Sequence, residues 1–104
     1  MVTGYFDVLR AGHARDLEQA RHDARAATLL AIVMPLPAAL LPQRARAELV
    51  AALRAVDYVV LADAEDVERL VASLQPARLL RMEEADDRRA RQLRELVRSR
   101  VRNA

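Results

Sequence analysis

Gly4-Tyr5-Phe6-Asp7-Val8-Leu9-Arg10-Ala11-Gly12-His13 is the stretch on which the fold turns. The short apolar run Met1 to Thr3 precedes it, so Gly4 to Asp7 reads as a turn leaving a first strand, and Gly12 or His13 as the start of a helix. A strand, a glycine turn and a helix in that order suit phosphate binding. The unpaired N–H groups of a helix N-terminus attract an anion, glycine lets a phosphate approach the backbone, and histidine or arginine adds a donor. Open α/β sheets hold their ligands at this end of their strands.

Working outward, the hydrophobic period alternates between short β-branched runs and longer helical stretches, as βαβ units around a parallel sheet require. Leu17, Ala20 and Ala24 mark the inner face of the first helix. Thr28 to Met34 (TLLAIVM) is an almost unbroken apolar run, the signature of a central strand buried on both faces, and Pro35 and Pro37 end it. Pro42 opens a second helix as its first helical residue, with Leu49, Leu53 and Val56 at helical spacing. Asp57 leads into a third strand, Tyr58 to Leu61, and Asp63 caps a third helix whose Val67, Leu70, Val71 and Leu74 form an apolar stripe before Pro76. Arg78 to Met82 is the fourth strand. A polar helix from Glu84 to Arg100 follows, with Ala90, Leu93, Val97 and Val101 on the side that packs on the sheet. Its carboxylates come first and its arginines last, as the helix dipole favours. The fold expected is therefore α/β: a Rossmann-like three-layer sandwich, with a parallel sheet of about four strands and helices on both faces.

Composition narrows the chemistry. At 104 residues the chain is read as one domain, 1–104, without repeat or linker. Apolar residues make up 53% and charged residues 31%, a balance suited to a folded protein. The absence of cysteine excludes disulfides, thiolate nucleophiles and cysteine-based metal sites. All 17 basic residues are arginine, which excludes a Walker P-loop and a Schiff-base lysine; the arginine excess itself reads as the imprint of a GC-rich gene. The longest apolar stretch, Ala26 to Leu41, is broken by two prolines and too short to span a bilayer, and charges interrupt any signal-peptide pattern. No membrane partner is expected, and the expected location is cytoplasmic.

The opening segment resembles the cytidylyltransferase-like nucleotidyltransferase superfamily, which includes glycerol-3-phosphate cytidylyltransferase and the nucleotidyl-transfer domain of ADP-heptose synthase. Its members open approximately T-x-G-x-F-D-x-x-H-x-G-H, and Gly4, Phe6, Asp7, Gly12 and His13 match at the same spacing. The run Arg46 to Val60 (RAELVAALRAVDYVV) is similar to the family's helix and its V-D-x-V strand entry, and the likeness extends over about residues 1 to 82. The resemblance implies a domain that binds a nucleoside triphosphate, CTP or ATP, with Mg2+ accompanying the nucleotide. A phosphorylated small metabolite attacks the α-phosphate and pyrophosphate leaves. The motif histidines stabilise charge on the five-coordinate phosphorus, which is electrostatic catalysis. His13 and Arg10 take the catalytic positions, and Gly4, Tyr5, Phe6, Gly12 and His13 the nucleotide-binding ones.

The chain departs from the family pattern in four places. Arg10 replaces the first motif histidine with a longer, permanently charged group. Val2 stands where threonine is usual. Pro35 to Leu41 replaces a polar, basic segment and offers no donor side chain, and the arginine-rich C-terminus lacks the family's I-S-S-T-like helix start, Ser99 standing without that motif around it. These losses support an alternative, a catalytically inactive member serving as a binding or assembly module.

For His13 the ligand-facing reading stands beside a helix-capping one, and Arg10 reads equally well as an exposed turn residue. Asp7 reads as a structural carboxylate accepting backbone N–H bonds that hold the loop. His22 reads as a surface residue. Asp63, Glu65, Asp66 and Glu68 read as helix-start carboxylates, so no metal site is expected in the chain itself. The terminal arginines, Arg88 to Arg102, lack interleaved aromatic residues; nucleic acid is not an expected partner. Leu36, Leu40 and Leu41 lie in a loop where exposure costs stability unless something covers them, and a homodimer contact is expected there.

Overall fold

A computed structural model describes residues 1–23 and 28–102, excepting the side chains of Ala90 and Arg102. The elements run β1 (Val2–Gly4), α1 (Ala11–Asp23), β2 (Leu30–Val33), α2 (Gln43–Ala51), β3 (Tyr58–Leu61), α3 (Ala64–Leu74), β4 (Leu80–Arg81) and α4 (Glu83–Arg102). All strand pairs are parallel, in the order β3-β2-β1-β4. The three-layer α/β architecture read from the sequence is the one observed. Strand order reverses between β1 and β4, which places the topological switch point, and with it the crevice where such sheets hold ligands, beside Gly4.

The two faces of the sheet follow from the alternation of the strands. Val2, Ala31 and Val33 point to one side, where Leu17 of α1 and Ala47 and Val50 of α2 cover them together with Phe6 and Met82. Ile32 points to the other and meets Val67, with Leu70, Val71 and Val60 around it. Each buried aliphatic side chain contributes about 1.5–3 kcal/mol, so β2, buried on both faces, is the centre of the fold.

Boundaries shift where caps and turns override periodicity. Pro42 precedes α2 instead of entering it: its ψ of 151° is extended, and its carbonyl accepts the first helical N–H, from Arg46. Leu53 and Val56 lie beyond α2, because Ala52 caps it and the chain turns there, and Leu49 faces outward while Arg46 and Val50 are buried. Asp63 caps α3 as expected, Oδ1 accepting the Asp66 N–H at 2.8 Å. Leu74 is exposed at the end of that helix, where Gln75 turns left-handed. The expected inner residues Ala24 and Ala90 fall outside the description.

The final helix departs furthest from expectation. Leu93 is half-buried, but Val97 is 54% exposed and Val101 71% exposed. At 20 residues α4 is about 30 Å long, far longer than a four-stranded sheet of short strands can cover, so only its first turns pack and the rest projects.

Candidate functional site

The candidate site lies at the carboxyl ends of β1 and β4. Phe6 follows β1 in a left-handed backbone conformation, φ 51°, with its ring fully buried against His13 at a centroid distance of 5.8 Å. That turn points the N–H groups of Tyr5 and Phe6 toward one spot beside β4. Gly4 is required by close approach: a Cβ there would lie 2.8 Å from the Phe6 ring and 2.9 Å from Asp86 Oδ2.

Asp86, in the first turn of α4, fills that spot. Its Oδ2 accepts the Tyr5 N–H at 3.0 Å and the Phe6 N–H at 3.2 Å, and its Oδ1 lies 2.8 Å from His13 Nε2. The Arg10 N–H donates to His13 Nδ1 at 3.1 Å, so Nδ1 is the acceptor and the proton sits on Nε2, facing Asp86. His13 thus caps α1 by reaching back to the residue before it, in the manner of a capping box, and also aims a donor into the site. The helix-capping reading of His13 holds, and its Nε2 is turned to Asp86.

The remaining expected residues divide. Gly12 enters α1 with open space where a Cβ would stand, the nearest atom being the tip of Arg15 at 3.9 Å. Arg10 is exposed and lines a depression of about 70 Å3 with Tyr5, His13, Asp86 and Arg94; among the described residues its guanidinium has no partner. Phe6 contributes its backbone N–H alone, since its ring belongs to the core. Asp7 is structural: its carboxylate accepts the N–H groups of Leu40 at 2.9 Å and Leu41 at 3.0 Å, holding the loop after β2.

Arg46 completes the support from beneath. Its buried guanidinium donates to the carbonyls of Tyr5 at 2.6 Å, Met34 at 2.9 Å and Leu41 at 3.1 Å. Burial pushes its pKa down and the Asp7 carboxylate pulls it back up. One side chain therefore ties the glycine turn, the end of β2 and the following loop into a rigid cradle. Sequence reasoning missed the roles of Arg46 and Asp86. For Asp86 the signal was a carboxylate four residues after Met82, the apolar residue that follows the last strand, on a helix start at the switch point.

The expected helix-start carboxylates behave as read: Glu65 and Asp66 pair with Arg69, and Glu68 with Arg81. Among the described residues no group of three His, Asp or Glu side chains converges on one point. A second cleft of about 140 Å3, between Met1, Arg21, Leu29 and Leu80, lies at the amino ends of the strands, away from this chemistry.

A four-stranded parallel sheet with helices on both faces and a glycine turn at its switch point defines a Rossmann-like α/β domain. Residues 1–102 match the cytidylyltransferase-like family, and the chain belongs to it. It is 35% identical over 80 residues to an FAD synthase from Methanohalophilus mahii, covering 73% of this chain and 56% of that protein. To an FAD synthase from Methanoculleus marisnigri it is 32% identical, over 73% of this chain and 54% of that protein. The chain thus spans little more than half the length of these relatives. The crystal structure of the lipopolysaccharide core biosynthesis protein from Thermoplasma volcanium superposes with a TM-score of 0.65 at 24% identity, covering 73% of this chain and 66% of that one, which supports the fold. No helix among the described residues is long and apolar enough to cross a membrane.

Proposed function

We propose that the chain binds the phosphates of a nucleoside triphosphate at the turn of Gly4, Tyr5 and Phe6 and serves nucleotidyl transfer. The observation that carries this reading is the convergence of two backbone N–H groups and His13 Nε2 on one carboxylate at the switch point. Three such donors suit a phosphate as well as a carboxylate. Arg10, exposed at the rim, adds permanent positive charge, and the bare backbone at Gly12 leaves room for the ligand.

In the reaction proposed, an oxygen of a phosphorylated small metabolite forms a bond to the α-phosphorus, the bond from that phosphorus to the β-phosphate bridge breaks, and pyrophosphate leaves with the electron pair. His13 and Arg10 stabilise the charge that builds on the α-phosphate. Either ATP or CTP fits this scheme. ATP comes first, because the relatives are named for making FAD, whose adenylyl half such a transfer supplies. Mg2+ would arrive with the nucleotide. A cytoplasmic setting and a homodimer contact through Leu40, 69% exposed, belong to the same proposal.

A second reading is favoured by one observation: both ring nitrogens of His13 are already engaged within the chain. On that reading the domain is a binding or assembly module without turnover. Calorimetric titration with Mg-ATP and Mg-CTP, with His13→Ala as control, tests binding at the site, and pyrophosphate release with phosphorylated acceptors separates the enzyme from the module. Binding is expected to fall at least tenfold in His13→Ala; nucleotide binding that this substitution leaves unchanged would sink the assignment.

A further inference from the structure

We propose that Asp86 is a built-in competitor for the phosphate site, so that an anion enters only when the first turn of α4 withdraws. The proposal rests on the phosphate-binding reading above and adds its control. The Asp86 carboxylate consumes all three donors of the cradle, the N–H groups of Tyr5 and Phe6 and His13 Nε2. A second anion cannot share those donors, and like charges at such distance repel.

The seat is built for a carboxylate. Gly4 has no Cβ, and the space that atom would take is limited by Asp86 Oδ2 and the Phe6 ring. Asp86 is buried, yet its surroundings open onto the depression lined by Arg10 and Arg94, whose guanidiniums have no partner among the described residues. Those guanidiniums supply the positive rim that an incoming phosphate would meet. Among the described residues no guanidinium answers Asp86: its donors are two amides and an imidazole whose Nδ1 is held as an acceptor. The carboxylate is held by dipoles, as a bound ligand is.

The element that carries it is suited to move. Only the first turns of α4 rest on the domain, latched by the Arg89 pair to Asp16 of α1 at 2.9 Å. That latch is partly exposed, and solvent screening makes it weak. On the seated segment, Glu83 Oε1 and Arg89 Nη1 are buried with no partner among the described residues. The distal helix, exposed at Leu96, Val97 and Val101, extends beyond the domain.

The test is calorimetric titration of the full chain, first with inorganic pyrophosphate and then with Mg-ATP and Mg-CTP, for the wild type, Asp86→Ala, Asp86→Asn and the double variant Asp86→Ala with His13→Ala. Asp86→Asn keeps the size of the side chain should Asp86→Ala fail to fold, and circular dichroism checks both. Asp86→Ala is expected to bind pyrophosphate at least tenfold more tightly than the wild type, with Asp86→Asn between them and the gain lost in the double variant. Equal binding by wild type and Asp86→Ala overturns the competitor while leaving the nucleotide site standing. Weaker binding by Asp86→Ala also overturns it and makes Asp86 a positioning residue for His13. If Asp86→Ala takes up pyrophosphate but neither nucleotide, the competitor stands and the nucleotide reading falls; if no variant binds any of these anions, both fall.

Discussion

The two ends of the sheet each hold an aspartate that gathers donors from distant parts of the chain. At the amino ends, Asp57 Oδ2 accepts the Leu29 N–H at 2.7 Å and lies 2.7 Å from Arg21 Nη1. At the carboxyl ends, Asp86 accepts from Tyr5, Phe6 and His13. The first carboxylate is answered by a guanidinium, which balances its charge and joins α1 to the entry of β3. Among the described residues the second is answered by two backbone amides and the imidazole of His13. The first pair joins two elements of the scaffold, whereas the second occupies with a carboxylate three donors that suit another anion equally well. The comparison separates what holds this fold together from what the fold offers to a ligand.

The strongest way to break that separation is through the support beneath the carboxyl end. Arg46→Ala removes the donor to three carbonyls and is expected to cost about 3 kcal/mol in urea denaturation, since each buried acceptor left unpaired costs about 1–3 kcal/mol. An unchanged denaturation midpoint would show that the cradle does not depend on it. Gly4→Ala comes next, at about 1–3 kcal/mol, because its Cβ would overlap the Phe6 ring and the Asp86 carboxylate. Thermal melting reads the loss, and a neutral result would mean that the seat is looser than its distances indicate.

Asp57→Ala sharpens the contrast from the other end. Its partly exposed pair and its bond to Leu29 give an expected loss of about 1 kcal/mol, with no change in anion affinity by calorimetry. An affinity change would mean that the two ends are coupled through β2. The smallest effect is expected of Gly12→Ala. The free protein should be unchanged or gain up to about 1 kcal/mol, because the position is helical and open, while pyrophosphate binding to Asp86→Ala should weaken if a ligand approaches that backbone. Equal binding with and without the added methyl would move the ligand away from the α1 N-terminus.

The parallel sheet was legible because its signals are local. Tyr58–Leu61 is the strand read from the sequence, and the apolar run around Ile32 announced a strand buried on both faces. The glycine turn and His13 were legible through spacing. Asp86 was not, because it stands in a run of carboxylates that the helix dipole alone explains, and its partners lie about eighty residues away in sequence. Arg46 hid for a similar reason: an arginine on a helix reads as solvated until the loops it ties are seen to fold over it. The projecting end of α4 was misread because its apolar spacing is regular, but a stripe reports what a helix can bury, while the extent of the sheet decides what it does bury.

The central claim, that Asp86 occupies a cradle whose third donor is His13 Nε2–H, is tested most directly by the imidazole nitrogen resonances of His13 in the wild type and in Asp86→Ala. The account predicts a wild-type ring fixed with Nε2 protonated and Nδ1 accepting, and a shift of the Nε2 signal when pyrophosphate is added to Asp86→Ala. A wild-type ring protonated on Nδ1, or one that averages freely between its two forms, would contradict it.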